Sequence, residues 1–114
     1  GFYATEIGLA TELYWGLPLR SYSRTRAWSD EQFDAATERL ESRGLLADGQ
    51  LTEAGRTARE AVEVATDLQM APTVAALGDD IEELIEILTP WGAAIREAKG
   101  YPGSGPHDLA DAAS

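Results

Sequence analysis

The sequence predicts a mainly α-helical fold carrying one very short β-hairpin, and three observations within residues 28–56 predict it. First, Ser29 followed by Gln32 is a capping box, and Trp28 with Phe33 can form the hydrophobic staple that fixes how the chain enters a helix. Second, Gly44 suits the left-handed residue that ends a helix, with Leu45 returning onto Leu40. Third, Asp48-Gly49 between Leu45-Leu46-Ala47 and Gln50-Leu51 is a strong two-residue hairpin signal. Thr52 then caps a further helix, and Glu53 lies near its positive end. Helix, tight hairpin and helix in that order form the core of a winged helix-turn-helix. The expected architecture is therefore about five helices with one very short β-hairpin wing.

Taken in order, residues 4–15 read as the first helix, with Ile7, Ala10, Leu13 and Tyr14 on or near one stripe. Gly16-Leu17-Pro18 interrupts it. Pro18 suits the first turn of a short second helix reaching about Ala27, with Leu19 and Tyr22 inward and Arg20 and Arg24 one turn apart. Residues 29–43 form the third helix, with Phe33, Ala36 and Leu40 inward. Residues 53–70 form a fourth, presenting a small-residue face of Ala54, Ala58, Ala61, Val62, Ala65 and Leu68. A break is expected at Ala71-Pro72, then a short helical turn at 73–77 and a cap region at Gly78-Asp79-Asp80. The last helix starts near Asp80 and aligns Ile81, Leu84, Ile85, Leu88, Trp91 and Ile95. Pro90 inside it predicts a kink, or a restart capped by Thr89, and Gly100 ends it. Residues 1–100 are expected to form the winged-helix domain and 101–114 a flexible tail or truncated linker.

Composition limits the function. The 114 residues suffice for a single core but not for two independent ones. Twenty acidic residues against nine basic ones give a net charge of −11. The imbalance grows along the chain: residues 61–114 hold ten acids and two bases. Such a field repels nucleic-acid phosphates unless a local basic patch overcomes it. There is no cysteine, which excludes a disulfide framework, a thiol nucleophile and a cysteine metal site, and leaves the cytoplasm as the default location. No apolar run approaches the roughly 20 residues of a membrane span. The lone histidine, His107, sits in the expected tail beside Asp108, so neither a catalytic triad nor a multi-histidine metal site can be assembled. The chain reads as non-enzymatic, with no cofactor and no metal.

With these residues in view, RLESRGLLADGQLTEAGR at 39–56 resembles MarR-type winged-helix regulators, in which a similar pattern runs from the recognition helix through the wing. The longer stretch from Leu17 to Arg56, followed by an acidic helix with a proline-containing stripe, is similar to the C-terminal half of an actinobacterial helix-turn-helix family of regulator-like proteins. The resemblance covers roughly residues 4–100. It implies transcriptional regulation as the context and a homodimer made by the first and last helices. The chain starts on Gly1 rather than methionine, as expected of a tag remnant or a fragment, so docking to a missing N-terminal half is the other expected use of the Ile81–Ile95 stripe.

Two sets of candidate residues follow. For DNA contact through helix 29–43, Gln32, Thr37, Arg39 and Arg43 would face the groove, and Arg20, Arg24 and Arg26 would hold phosphates. Against this, Asp30, Glu31, Asp34, Glu38 and Glu41 give that helix a net charge of −3, and the wing tip offers Asp48 rather than the arginine usual in MarR-type wings. For ligand binding, three tryptophans and four tyrosines in a small acidic chain suit an aromatic or cationic small molecule, or a protein partner. The residues singled out are Tyr14, Trp15, Tyr22, Trp28, Met70 and Trp91. Ligand or partner binding is the expected activity, and direct DNA recognition is the alternative.

Overall fold

The computed structural model describes residues 1–100, so the expected tail, His107 included, lies outside the described residues. The chain divides into two units, Gly1–Ala65 and the residues from Thr66 onward. Helix α1 spans Ala4–Tyr14, and a single 3-10 turn follows at Ser23–Arg26. Helix α2 spans Asp30–Ser42 and corresponds to the third expected helix. Strands β1 (Leu46–Ala47) and β2 (Gln50–Leu51) then lead into α3 (Glu53–Leu77) and α4 (Asp80–Glu97).

The signals read around α2 are all present. Ser29 Oγ accepts from the Gln32 N–H at 3.3 Å while Gln32 Oε1 accepts from the Ser29 N–H at 2.8 Å, closing the capping box. At the other end the Leu45 N–H donates to the Leu40 carbonyl at 2.9 Å and the Gly44 N–H to that of Glu41 at 2.8 Å. Gly44 has φ +68°, so these bonds form a Schellman motif. Asp48 and Gly49 both have positive φ, the geometry of a type I′ turn. The turn sets Leu46 opposite Leu51 and Ala47 opposite Gln50. Thr52 Oγ1 accepts from the Gly55 N–H at 3.0 Å and donates to the Gly44 carbonyl at 2.7 Å, tying the start of α3 to the end of α2.

The core of the first unit joins Leu9, Ala10 and Leu13 of α1 to Phe33, Ala36 and Leu40 of α2 and to Leu45, Leu46 and Leu51 of the hairpin. Each fully buried leucine contributes about 1.5–3 kcal/mol relative to exposure. Trp28 packs against this cluster, of which Phe33 is a member. The start of α3 approaches so closely that a Cβ on Gly55 would overlap the Leu45 carbonyl oxygen and lie 3.1 Å from Leu51 Cδ2. A Gly55→Ala substitution is therefore expected to cost about 1–3 kcal/mol by overpacking, although alanine is the better helix former. Urea unfolding measures this, and an unchanged midpoint would contradict the close approach.

Several expectations are corrected. Residues 18–27 do not form a helix. Arg20 and Ala27 both adopt left-handed backbone, with φ +63° and +59°, and only the Ser23–Arg26 turn is helical in kind. On α1, Leu9 is buried while Ile7 and Tyr14 are only half-buried, and Thr5, Glu6 and Glu12 join the buried side. Helix α3 does not break at Ala71-Pro72 but runs through Pro72 to Leu77. Its small-residue face is mostly open, since only Gly55 and Arg59 of α3 are buried. Helix α4 likewise continues through Pro90. Thr89 does not cap a restart there, because its Oγ1 donates to the Ile85 carbonyl one turn back at 2.7 Å. The left-handed residue closing α4 is Lys99, φ +55°, one position before Gly100.

Candidate functional site

Arg39, on α2, and Arg43, the residue that caps its C-terminal end, stand one turn apart on the side that meets α1. Arg39 Nε lies 2.6 Å from Glu6 Oε1 and Arg43 Nη1 lies 2.9 Å from Glu6 Oε2. Glu6 is fully buried. The Tyr3 N–H also donates to Oε2 at 3.1 Å. The guanidinium of Arg39 sits over the Tyr3 ring and that of Arg43 over the Phe2 ring, while Arg43 Nη2 donates to the Gly1 carbonyl at 3.0 Å. Burial pushes the Glu6 pKa up. The Arg39 and Tyr3 hydrogen bonds and the charges of both arginines outweigh it, leaving the carboxyl below its ordinary value. A depressed carboxylate contributes stability above the unfolded-state pKa of about 4.3 and loses it as pH falls through the folded value. Glu6→Gln is accordingly expected to lower stability at pH 7 and to flatten the acid limb below about pH 4.3, as read by urea midpoints across that range.

The other candidate DNA contacts are also engaged. Arg20 Nη2 lies 2.6 Å from Asp34 Oδ1, and the guanidinium sits over the Phe33 ring. Arg26 lies over the Tyr22 ring and donates to its hydroxyl. Thr37 Oγ1 donates to the Phe33 carbonyl at 2.9 Å, and Gln32 serves the capping box. Arg24 is exposed. The arginines thus do not converge on one basic surface, and the exposed side of α2 presents Asp30, Glu31, Asp34, Glu38 and Glu41.

The aromatic candidates divide. Trp15, Tyr22 and Trp28 line one cleft of about 500 Å³ together with Ile7, Thr11 and Arg26. No carboxylate lines it; Arg26 is its charged residue. Tyr14 is not among the lining residues: its hydroxyl donates to Glu60, and Arg59 sits over its ring at 5.2 Å. That hydrogen bond, with burial and the charges of Glu60 and Glu63, holds the Tyr14 pKa above its usual value. Met70 and Trp91 belong to the second unit, where both are exposed.

Sequence reasoning missed the residue that builds the cleft. Glu12 is fully buried. Its carboxylate accepts from the N–H groups of Arg20, Tyr22 (3.1 Å) and Ser23 (2.9 Å) and from Ser23 Oγ (2.9 Å). These bonds wrap residues 20–23 around one side chain, which is why the segment does not become a regular helix. Gly8 allows this closeness, since a Cβ there would lie 3.0 Å from Ser23 Oγ. Arg59 was missed as well: it is buried, its Nε donates to Thr11 Oγ1 at 2.9 Å, and it pairs with Glu63. The signal available for the glutamates was positional, because Glu6 and Glu12 share the helical spacing of Leu9 and Leu13.

Two short helical elements followed by α2, a tight antiparallel hairpin and α3 define a winged helix-turn-helix module, a regulatory type of domain built on DNA binding. The profile of a helix-turn-helix family matches residues 1–102, and the chain belongs to that family. Comparison with curated proteins and with solved structures returned no match.

Proposed function

We propose that this chain is a non-enzymatic, regulator-like winged-helix module of MarR type that binds a small aromatic molecule in the cleft between α1 and residues 22–28. The observation that carries the reading is the convergence of Trp15, Tyr22 and Trp28 on one cleft, since such rings bind planar ligands through apolar burial and stacking. Because Arg26 rather than a carboxylate lines it, a neutral or anionic aromatic fits better than a cationic one. Titration of tryptophan fluorescence with matched anionic, neutral and cationic aromatic compounds tests this. Trp15→Ala removes a lining ring that is already 43% exposed, and it is expected to weaken binding about tenfold or more while leaving the fold intact. Unchanged fluorescence across the whole panel would end the ligand reading.

Direct DNA recognition through α2 is the second reading, and membership of a helix-turn-helix family favours it. The pairing of Arg39 and Arg43 with Glu6 and the acidic outer side of α2 weigh against it. The chain is expected not to bind random duplex DNA at low micromolar concentration in ~50 mM salt. Binding there, falling steeply as salt rises, would restore the DNA reading.

A further inference from the structure

The side chains of Thr11, Tyr22 and Ser23 bring hydroxyl groups to the lining of the aromatic cleft. Ser23 donates its hydroxyl to Glu12. The other two each accept from an arginine: Tyr22 from Arg26, and Thr11 Oγ1 from Arg59 Nε at 2.9 Å. A threonine inside a helix commonly turns its hydroxyl back onto the carbonyl one turn earlier, as Thr37 does to Phe33 and Thr89 to Ile85. Thr11 does not turn back onto Ile7 in this way, and its side-chain hydrogen bond goes to Arg59 instead.

Arg59 fixes this arrangement. It is only 5% exposed, its guanidinium lies over the Tyr14 ring, and Glu63 pairs with Nη2. Its Nη1 is buried without an acceptor. A guanidinium has donors only, so Thr11 Oγ1 can meet it only as an acceptor. Were Thr11 to turn away, a second buried donor on the same side chain would lose its partner, which a buried site tolerates poorly. The Thr11 hydroxyl hydrogen therefore points away from Arg59 and, with the helix carbonyl not taking it, is left for the cleft. We propose that Thr11 determines the specificity of the cleft, with Arg59 as the positioning residue that makes it a hydrogen-bond donor. The aromatic molecule bound there then carries an acceptor, such as a carbonyl oxygen, against α1. The Tyr22 hydroxyl, which also accepts from an arginine, has the same polarity. This inference rests on the aromatic-ligand reading of the cleft and adds the hydrogen-bonding polarity of the ligand.

Acetophenone and cumene share one outline, but only acetophenone carries an acceptor. Each is titrated into the full chain while the indole N–H resonances of Trp15 and Trp28 are followed by NMR. Thr11→Val keeps the side-chain shape and removes the hydroxyl. It is expected to weaken acetophenone binding about three- to tenfold, the worth of one hydrogen bond, and to leave cumene binding unaffected. Thr11→Ser keeps the hydroxyl and should preserve acetophenone binding. Arg59→Met should discriminate as Thr11→Val does, because Thr11 is then free to turn back onto Ile7; an arginine with a merely structural role would on removal weaken both compounds alike. The two Thr11 variants decide the matter should Arg59→Met fail to fold. Equal weakening of both compounds by Thr11→Val, or of neither, overturns the inference while the aromatic-ligand reading stands. If neither compound moves the two indole signals of the unaltered chain, that reading falls and the inference falls with it.

Discussion

Glu12→Ala is expected to unfold much of the first unit, with a loss of at least about 3 kcal/mol in urea denaturation. The carboxylate holds three backbone N–H groups and the Ser23 hydroxyl. Removing it leaves buried donors without an acceptor, and each such orphan costs about 1–3 kcal/mol. The loss is large against the roughly 5–15 kcal/mol that separates folded from unfolded in a small domain. Glu12→Gln keeps the shape and one acceptor, so its cost should be clearly smaller. It should also weaken ligand binding in the cleft, because Tyr22 and Arg26 are carried on the segment that Glu12 gathers. Equal stability of Glu12→Ala and the unaltered chain would show that residues 20–23 are held some other way.

The second large effect distinguishes structural from DNA-reading arginines. If Arg39 and Arg43 served mainly to contact DNA, replacing both by alanine would leave stability near its starting value. The geometry predicts otherwise: the double substitution strands a buried Glu6 carboxylate. Stranding a buried charge commonly costs about 3–5 kcal/mol. The side chains of Arg39 and Arg43 are 42% and 39% exposed, so solvent screening lowers the expectation to roughly 2–3 kcal/mol. A thermodynamic cycle with Glu6→Gln isolates the coupling. Additive effects would show that the arginines do not depend on Glu6.

These two predictions turn on Glu12 and Glu6, which the sequence did not single out, and the reason is physical. Helical periodicity sorts positions by apolarity, so it found Ala10 and Leu13 but passed over two glutamates on the same side of α1. A carboxylate is stable at a buried position only when donors surround it. Those donors come from residues 8 to 11 positions later in the chain for Glu12, and 33 and 37 positions later for the arginines on Glu6. Pro72 did not end α3 and Pro90 did not force a restart in α4: each removes one backbone donor and crowds the preceding turn, a local cost that the continuing helix tolerates. The aromatic candidates were half legible: Trp15, Tyr22 and Trp28 do gather, whereas Tyr14 turns to Glu60.

The sequence by itself determined the winged helix. Ser29, Gln32, Gly44, Asp48, Gly49 and Thr52 set caps and turns through bonds between near neighbours, and such bonds are readable without knowing the rest of the fold. Only the tertiary structure decided what the charged side chains do. Arg39 and Arg43 could have faced a DNA groove or a buried acid, and the packing of α1 against α2 placed Glu6 within 3 Å of both. Charge pairing acts across space rather than along the chain, so the outer acids of α2 were visible in the sequence while the partners of its arginines were not.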